Sequence, residues 1–139
     1  MKQLILLGLD VGEKRIGVAV SDPLGTTAQP LETIERDEHA TERIERIVLE
    51  TGAGRLIVGL PLLMDGSEGA QARLVREFAE TLADRLGAPV YFIDERLTTR
   101  EAEGVLAGGV VRRGGRKSAS DRIAAALILR SYMDRMPEE

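Results

Sequence analysis

The sequence predicts an α/β fold, a mixed five-stranded sheet with helices packed on its faces, and two observations predict it. Residues 4–34 contain three apolar or alternating stretches separated by turns, the pattern of an antiparallel meander. Farther along, short apolar stretches alternate with amphipathic segments of helical period, which is typical of parallel strand–helix units. The 139 residues, 43% of them hydrophobic, are enough for one domain over residues 1–139, since domains most often have about 100–150 residues.

Each element has its own signal. The first two strands flank a turn at Gly12, and the third takes an edge position because Pro30 cannot donate to a sheet ladder. Glycines end two of the helices, the first at Gly52 and the second at Gly87. The predicted strands span residues 4–10, 16–20, 26–34, 55–59 and 90–94. The predicted helices lie around residues 44–48 and at residues 70–86, 98–106 and 118–133, and a Gly- and Arg-rich loop spans residues 108–117.

The composition excludes several kinds of site. The chain has no cysteine, which rules out disulfides, thiolate zinc sites and cysteine nucleophiles. Its single histidine, His39, stands among acidic residues in what reads as a solvated helix start, so a histidine triad or histidine-based zinc site is not expected. The first apolar run is too short for a signal peptide or a membrane span. We therefore expect a soluble, cytoplasmic protein with no membrane partner.

Charge is distributed unevenly along the chain. The net charge is −4, which by itself argues against nucleic acid as a partner, yet residues 96–122 carry seven basic and three acidic side chains. A local basic stretch can bind phosphates while the whole molecule stays anionic. A solvated loop and helix face is the alternative interpretation. The loop residues that we expect to contact substrate phosphates are Arg112, Arg113, Arg116 and Lys117.

Three carboxylates stand where the pattern calls for apolar or neutral residues. Asp10 closes the first strand, Glu95 follows the last strand, and Asp121 lies in the first turn of an Ala-rich helix. Ligands of such sheets collect at the carboxyl ends of strands. Three converging carboxylates would make an oxygen-only site for Mg²⁺ or Mn²⁺. This chemistry is typical of metal-assisted phosphoryl transfer.

Each of the three acids has an alternative role. Asp10 could shape the turn that follows it, and Asp121 could belong to a helix cap. Asp94 competes with Glu95, because successive strand residues face opposite sides and we expect only one of the two to reach a metal.

Five sequence blocks resemble the YqgF (RuvX-like) family, stand in family order and span nearly the whole chain. They are GLDVGEKRIGVAVSD (residues 8–22), VGLP (58–61), DGS (65–67), DERLTT (94–99) and SDRIAAALIL (120–129). The resemblance implies a ribonuclease H-like fold and a nuclease that acts on precursor ribosomal RNA of the small subunit or on branched DNA. It also implies that the catalytic and metal-binding acids are Asp10, Glu95 and Asp121. Its other polar signature positions match Arg15, Thr98 and Thr99, which we expect to contact substrate. A helix cap at Thr98 and a solvated side chain at Arg15 are the alternatives.

One departure from the family pattern concerns the metal. Related resolvases place a further carboxylate on the last helix, one turn from the first, whereas Ser118, Ala124 and Ala125 occupy the neighbouring turns here. One protein-held ion is therefore better supported than two, and a second ion would depend on substrate phosphate. No side chain is a good general base near pH 7, so we expect the metal, not a side chain, to activate water.

The expected activity is hydrolysis of phosphodiester bonds in structured nucleic acid, with the 5′ end of pre-16S ribosomal RNA as the first candidate substrate. A Holliday junction resolvase is the alternative nuclease, and it would need a homodimer. The apolar run Leu60, Leu62, Leu63 and Met64 would suit a partner contact or be buried within the monomer. A non-catalytic nucleic-acid-binding factor for ribosome assembly is a further alternative. The Asp-x-Gly pattern at residues 10–12 also fits the actin and sugar-kinase class, but those enzymes need two related domains.

Overall fold

The computed structural model describes residues 4–97 and 116–135, with the main chain alone at residue 97 and at residues 116–119. The strands are β1 (Leu6–Val11), β2 (Arg15–Ser21), β3 (Ala28–Glu35), β4 (Arg55–Leu60) and β5 (Val90–Asp94). The helices are α1 (Ala40–Thr51), α2 (Ala70–Leu86) and α3 (Arg116–Arg135), and a 3₁₀ turn, Glu95–Leu97, follows β5. The helix predicted at residues 98–106 and most of the loop predicted at 108–117 lie outside the described residues.

The five strands form one mixed sheet in the order β3-β2-β1-β4-β5. The pairs β1–β2 and β2–β3 are antiparallel, while β1–β4 and β4–β5 are parallel. This is the meander followed by strand–helix alternation that the sequence predicts. Pro30 lies on the edge strand β3 opposite Ala19, at an irregularity in the register, where its missing N–H is tolerated.

Alternation along the strands divides the apolar residues between two cores. On one face of the sheet, Leu7 and Leu9 of β1 join buried residues of α1 and α2. On the other face, Leu6, Ala19 and Ile57 join buried residues of α3. Successive side chains of a strand point to opposite faces, so the position of a residue decides which helix layer it meets.

The ends of α1 and α2 are those that the glycines predict. Gly52 and Gly87 follow the two helices with φ of 76° and 65°, the left-handed conformation in which glycine closes a helix. No helix in the described part of the chain is long and apolar enough to cross a membrane.

The start of α3 differs from the prediction. The helix begins at Arg116, so Arg116 and Lys117 belong to its first turn and not to the preceding loop. Both residues have high helix propensity, which extends the helix past Ser118. Asp121 consequently lies in the second turn and not the first, where a side chain no longer caps the free amides of a helix start.

Glycines form the part of the sheet on which α3 rests. A Cβ atom added at Gly17 would lie 1.9 Å from the backbone oxygen of Asp121, and one added at Gly8 would lie 2.9 Å from that of Ala125. Gly59 of β4 belongs to the same surface, since a Cβ atom there would also meet α3. The main chain of α3 therefore approaches the strands more closely than any side chain would allow, and this approach fixes the position of Asp121.

The two tyrosines meet near the amino ends of β4 and β5, on the face of the sheet covered by α3. Tyr91 of β5 and Tyr132 of α3 have ring centroids 5.9 Å apart. The Arg55 guanidinium lies 4.6 Å from the centre of the Tyr91 ring and donates a 3.0 Å hydrogen bond to the Tyr132 hydroxyl. These three side chains fasten the last turns of α3 to β4 and to the edge strand β5.

Candidate active site

Asp10 is the penultimate residue of β1 and lies on the α3 face of the sheet. The alternation of β1 places it there, because Leu6 and Gly8, four and two residues earlier, both face α3. Its Cα partner on β2 is Gly17, the residue directly beneath the backbone of Asp121. The carboxylate is half-buried at the end of a central strand.

Glu95 begins the 3₁₀ turn after β5 and lies on the same face. A Cβ atom at Gly59 would come within 2.7 Å of Glu95 Oε1, so the carboxyl group rests on the main chain of β4. Because β1, β4 and β5 are parallel neighbours, their carboxyl ends meet at one edge of the sheet. The structure brings Asp10 and Glu95 together at this edge.

Asp94 has a different partner. Its carboxylate accepts hydrogen bonds from Nε and Nη2 of Arg96 at 2.9 and 2.7 Å. The same guanidinium donates to the backbone oxygen of Met64 at 3.1 Å, and it holds the pKa of Asp94 below its usual range. Asp94 thus anchors the loop after β4, as the opposite orientation of neighbouring strand residues leads one to expect.

Asp10 and Glu95 are hydrogen-bonded to each other and share an unusual electrostatic environment. Burial raises the pKa of Glu95 to about 8, and the negative charge of Asp10 adds to this effect. Burial also raises the pKa of Asp10, which the hydrogen bond from Glu95 opposes and the charge of Asp121 reinforces. Around neutral pH the pair therefore holds one proton, with Glu95 donating it to the Asp10 carboxylate.

Asp121 approaches this pair from α3, but its carboxylate is engaged by Arg15. The Nε atom of Arg15 lies 3.2 Å from Oδ2 of Asp121. Among residues 4–97 and 116–135, no three acidic or histidine side chains stand close enough to hold one metal ion together. Of the three predicted acids, Asp10 and Glu95 are in contact. Asp121 lies beside them and is paired with the Arg15 guanidinium.

Sequence reasoning missed the pairing of Arg15 with Asp121, which are 106 residues apart in the chain. A signal was present, because the alternation of β2 turns Arg15 away from the face on which Ile16 and Val18 are buried. What the pattern could not show is that α3 crosses this face at the level of Asp121.

The other predicted substrate contacts are only partly covered by the structure. Arg116 and Lys117 lie in the first turn of α3, and their side chains are outside the described atoms. Of the apolar run after β4, Leu60 is buried, whereas Leu63 and Met64 are 51% and 97% exposed. The predicted contacts that lie outside the described residues are Thr98, Thr99, Arg112 and Arg113.

The chain shares its fold with Holliday junction resolvases of known structure. Thermus thermophilus RuvC, solved with a Holliday junction substrate, matches 95% of this chain and 97% of its own with a TM-score of 0.59 and 16% identity. The fowlpox virus Holliday junction resolvase matches 96% of this chain and all of its own with a TM-score of 0.56 and 15% identity. The ribonuclease H-like fold that the sequence resemblance implies is thereby confirmed.

Sequence comparison gives a closer relationship. A protein of Lactococcus lactis subsp. cremoris is 47% identical over 133 residues, 93% of each chain, and one of Lachnospira eligens is 48% identical over 134 residues, 93% of this chain and 96% of its own. Both carry the name "Putative pre-16S rRNA nuclease". The model of the family described as "RuvX: Holliday junction resolvase" matches residues 4–135. The chain belongs to the RuvX family.

Proposed function

We propose that this protein is a divalent-metal-dependent endonuclease that hydrolyses phosphodiester bonds in structured nucleic acid, with the 5′ end of pre-16S ribosomal RNA as its substrate. The observation that carries the proposal is the contact between Asp10 and Glu95 at the carboxyl edge of the sheet. Two carboxyl groups that share one proton in a half-buried site are poorly stabilised as anions. Strongly perturbed pairs of this kind are characteristic of functional sites.

The donor set fits a hard cation. Asp10 and Glu95 offer oxygen atoms only, which suits Mg²⁺ or Mn²⁺ and excludes ions that prefer nitrogen or sulfur. Magnesium sites are often built from one or two carboxylates completed by substrate phosphates, so these two residues can hold an ion and Asp121 would add a third oxygen ligand. When bound, the ion supplies neutralisation of charge on the attacking and leaving oxygens and lowers the pKa of water.

The side chains of the protein have separable tasks in this proposal. Without an ion, Glu95 holds a proton near neutral pH because of burial and of the Asp10 charge, and it would release that proton on ligating the ion. Arg15 and the basic residues at 112–117 meet the phosphate backbone, a contact that positions nucleic acid without reading its sequence.

The choice of substrate rests on the relatives. The names of the curated relatives support pre-16S ribosomal RNA, and a cytoplasmic location follows from that substrate. The description of the family and the fold of the resolvases support branched DNA as the second candidate. Resolution of a junction requires two cuts, so that activity would need a homodimer.

The experiment is cleavage of a pre-16S RNA fragment and of a four-way DNA junction, each with Mg²⁺ or Mn²⁺, by variants that neutralise one acid at a time. We expect Asp10→Asn and Glu95→Gln to lower the rate by roughly 10²–10³-fold, the effect of losing about 3–4 kcal/mol of transition-state stabilisation. Asp84→Asn on the exposed side of α2 is the matched control and should keep the full rate.

The outcomes separate the candidate functions. Faster cleavage of the RNA supports processing of the ribosomal precursor, and faster cleavage of the junction supports resolution. Undiminished turnover by Asp10→Asn would contradict the assignment of the site. A pure protein that binds either nucleic acid but cuts neither, with both metals present, would instead be a non-catalytic assembly factor.

A further inference from the structure

Asp121 is the acid that would complete the proposed cation site, and its carboxylate is paired with Arg15. Both side chains are accessible to solvent, with 25% and 28% of their surfaces exposed. Asp121 is nevertheless fixed at the main chain, because its backbone oxygen lies against Gly17 at a distance that leaves no room for a Cβ atom. Its carboxylate can therefore change partner only by a side-chain rotation.

The geometry places the alternative partner nearby. Asp10 is the direct neighbour of Gly17 across the β1–β2 ladder, so Asp10 and Asp121 lie above the same pair of backbone positions. The two carboxylates are close enough that the negative charge of Asp121 contributes to the raised pKa of Asp10. Arg15 begins β2 on the same face and holds the Asp121 carboxylate at 3.2 Å. The Asp121 carboxylate, which can rotate, thus lies between the Arg15 guanidinium and the Asp10–Glu95 pair.

Arg15 also has unused hydrogen-bonding capacity. A guanidinium carries five N–H donors in a planar fork, and in the described part of the chain only the Nε donor of Arg15 has a hydrogen-bond partner. Arginine pairs with phosphate through two parallel hydrogen bonds, which are stronger than a single contact to a solvent-accessible carboxylate. A phosphodiester group is therefore able to compete with Asp121 for this side chain.

We propose that Arg15 is a positioning residue that holds Asp121 away from the Asp10–Glu95 pair and releases it when a phosphate of the nucleic acid takes the guanidinium. The cation site is then incomplete in the free protein and gains its third ligand when nucleic acid binds. This inference rests on the proposed function of the same site, and it makes the affinity for the ion dependent on the substrate.

The test is the affinity for Mn²⁺ measured by titration calorimetry in the absence of nucleic acid. We expect Arg15→Gln to tighten the Kd by about tenfold, the scale on which partners of ligands alter metal affinity, because Asp121 is freed. In the Arg15→Gln background, Asp121→Asn should cancel the gain, whereas in the wild-type background it should have little effect. Equal tightening with and without Asp121 would overturn the inference, since it would reflect only the removal of a positive charge.

Further variants serve as controls for these substitutions at Arg15 and Asp121. Lys14→Gln removes one positive charge from the neighbouring exposed position and should leave the Kd unchanged within about twofold. Arg15→Lys keeps a cation beside Asp121 and should restore most of the wild-type Kd. Far-ultraviolet circular dichroism checks that each variant is folded, and a variant with Asp121→Asn alone reports on the site even if a change at Arg15 disturbs β2.

Dimethyl phosphate serves as the probe for the competing group. At constant ionic strength set with chloride, it should tighten Mn²⁺ binding by the wild-type protein and have no such effect on Arg15→Gln. Absence of any effect on the wild type would overturn the role of phosphate. If Asp10→Asn abolishes Mn²⁺ binding while Arg15→Gln changes nothing, the inference alone fails; if Asp10→Asn leaves binding intact, the proposed function fails; if no form of the protein binds Mn²⁺, both fail.

Discussion

At the scale of single residues, the pair of Asp10 and Glu95 has consequences for stability as well as for chemistry. The position at a strand end selects Asp10 from the sequence, whereas the choice of Glu95 over Asp94 came from the resemblance to the RuvX-like family. The pairing of Arg15 with Asp121 and the proton shared by the pair were not predictable, because they depend on distances across the sheet and on burial. Neither the distances across the sheet nor the burial of a side chain can be obtained from the amino-acid composition.

The raised pKa of Glu95 predicts an unusual dependence of stability on pH. Between about pH 4.5 and pH 8 the folded protein keeps a proton that the unfolded chain has released, so folding is favoured at the low end and weakened as pH rises. We expect the free energy of unfolding to fall by roughly 2–4 kcal/mol from this group between about pH 5 and pH 8.5, since one pKa unit corresponds to about 1.4 kcal/mol. Urea denaturation at both pH values measures it.

Glu95→Gln is the matched variant for this prediction. Its amide can donate to Asp10 at every pH, so the loss with rising pH should be much smaller and the variant should be the more stable protein near pH 8.5. Mg²⁺ at saturating concentration should reverse the loss in the wild type, because an ion that binds only the folded state stabilises it by mass action. A parallel pH dependence in wild type and variant would contradict the shift assigned to Glu95.

At the scale of elements, the seating of α3 on glycines of β1, β2 and β4 sets the geometry of the site. The five strands and the helix ends at Gly52 and Gly87 followed from periodicity and from glycine chemistry. The start of α3 could not be predicted in this way. Ser118 is a residue type that favours a helix cap, yet the helix extends to Arg116. The contact of α3 with Gly17 could not be read either, since a glycine inside a strand has several explanations.

Gly17→Ala tests this contact. The added methyl group would lie 1.9 Å from the Asp121 backbone oxygen, so α3 must move or the strand must bend. We expect a loss of about 1–3 kcal/mol, the usual effect of overpacking, together with a much lower cleavage rate because Asp121 is displaced. Urea denaturation and the cleavage assay at a temperature where the variant is folded measure the two effects.

Gly54→Ala is the matched control for that change. It adds the same methyl group on the approach to β4, where the nearest neighbour is the flexible end of Leu4 at 3.1 Å. This variant should keep the cleavage rate and lose little stability. Wild-type stability and rate in Gly17→Ala would show that α3 does not rest on this surface.

At the scale of the whole molecule, the net charge of −4 is the sum of acidic and basic regions that are separate in the sequence. The acidic surplus includes residues of α1, on the face opposite to α3, while the basic residues of the sequence concentrate between positions 96 and 122. This distribution could be taken directly from the sequence, and it favours an anionic partner for the basic stretch. The contacts of Arg112 and Arg113 stay a prediction.

The salt dependence of binding tests this assignment. For single-stranded RNA, each phosphate contact contributes about 0.7 to the slope of log K against log salt concentration. We expect Arg112→Gln with Arg113→Gln to reduce the slope by about 1.4 in a fluorescence anisotropy titration of a pre-16S RNA fragment without divalent metal. Arg43→Gln with Arg85→Gln removes two cations that pair with Asp37 and Glu45 on the α1 side, and it should leave the slope unchanged.

The junction of Tyr91, Tyr132 and Arg55 gives the protein a natural optical reporter. The chain contains no tryptophan and only these two tyrosines, so its tyrosine emission originates from a single place where α3 meets the edge of the sheet. Lifting of the last turns of α3 would separate the phenol rings and change their near-ultraviolet ellipticity. Opening of this helix can therefore be followed without any label, separately from the melting of α1 and α2.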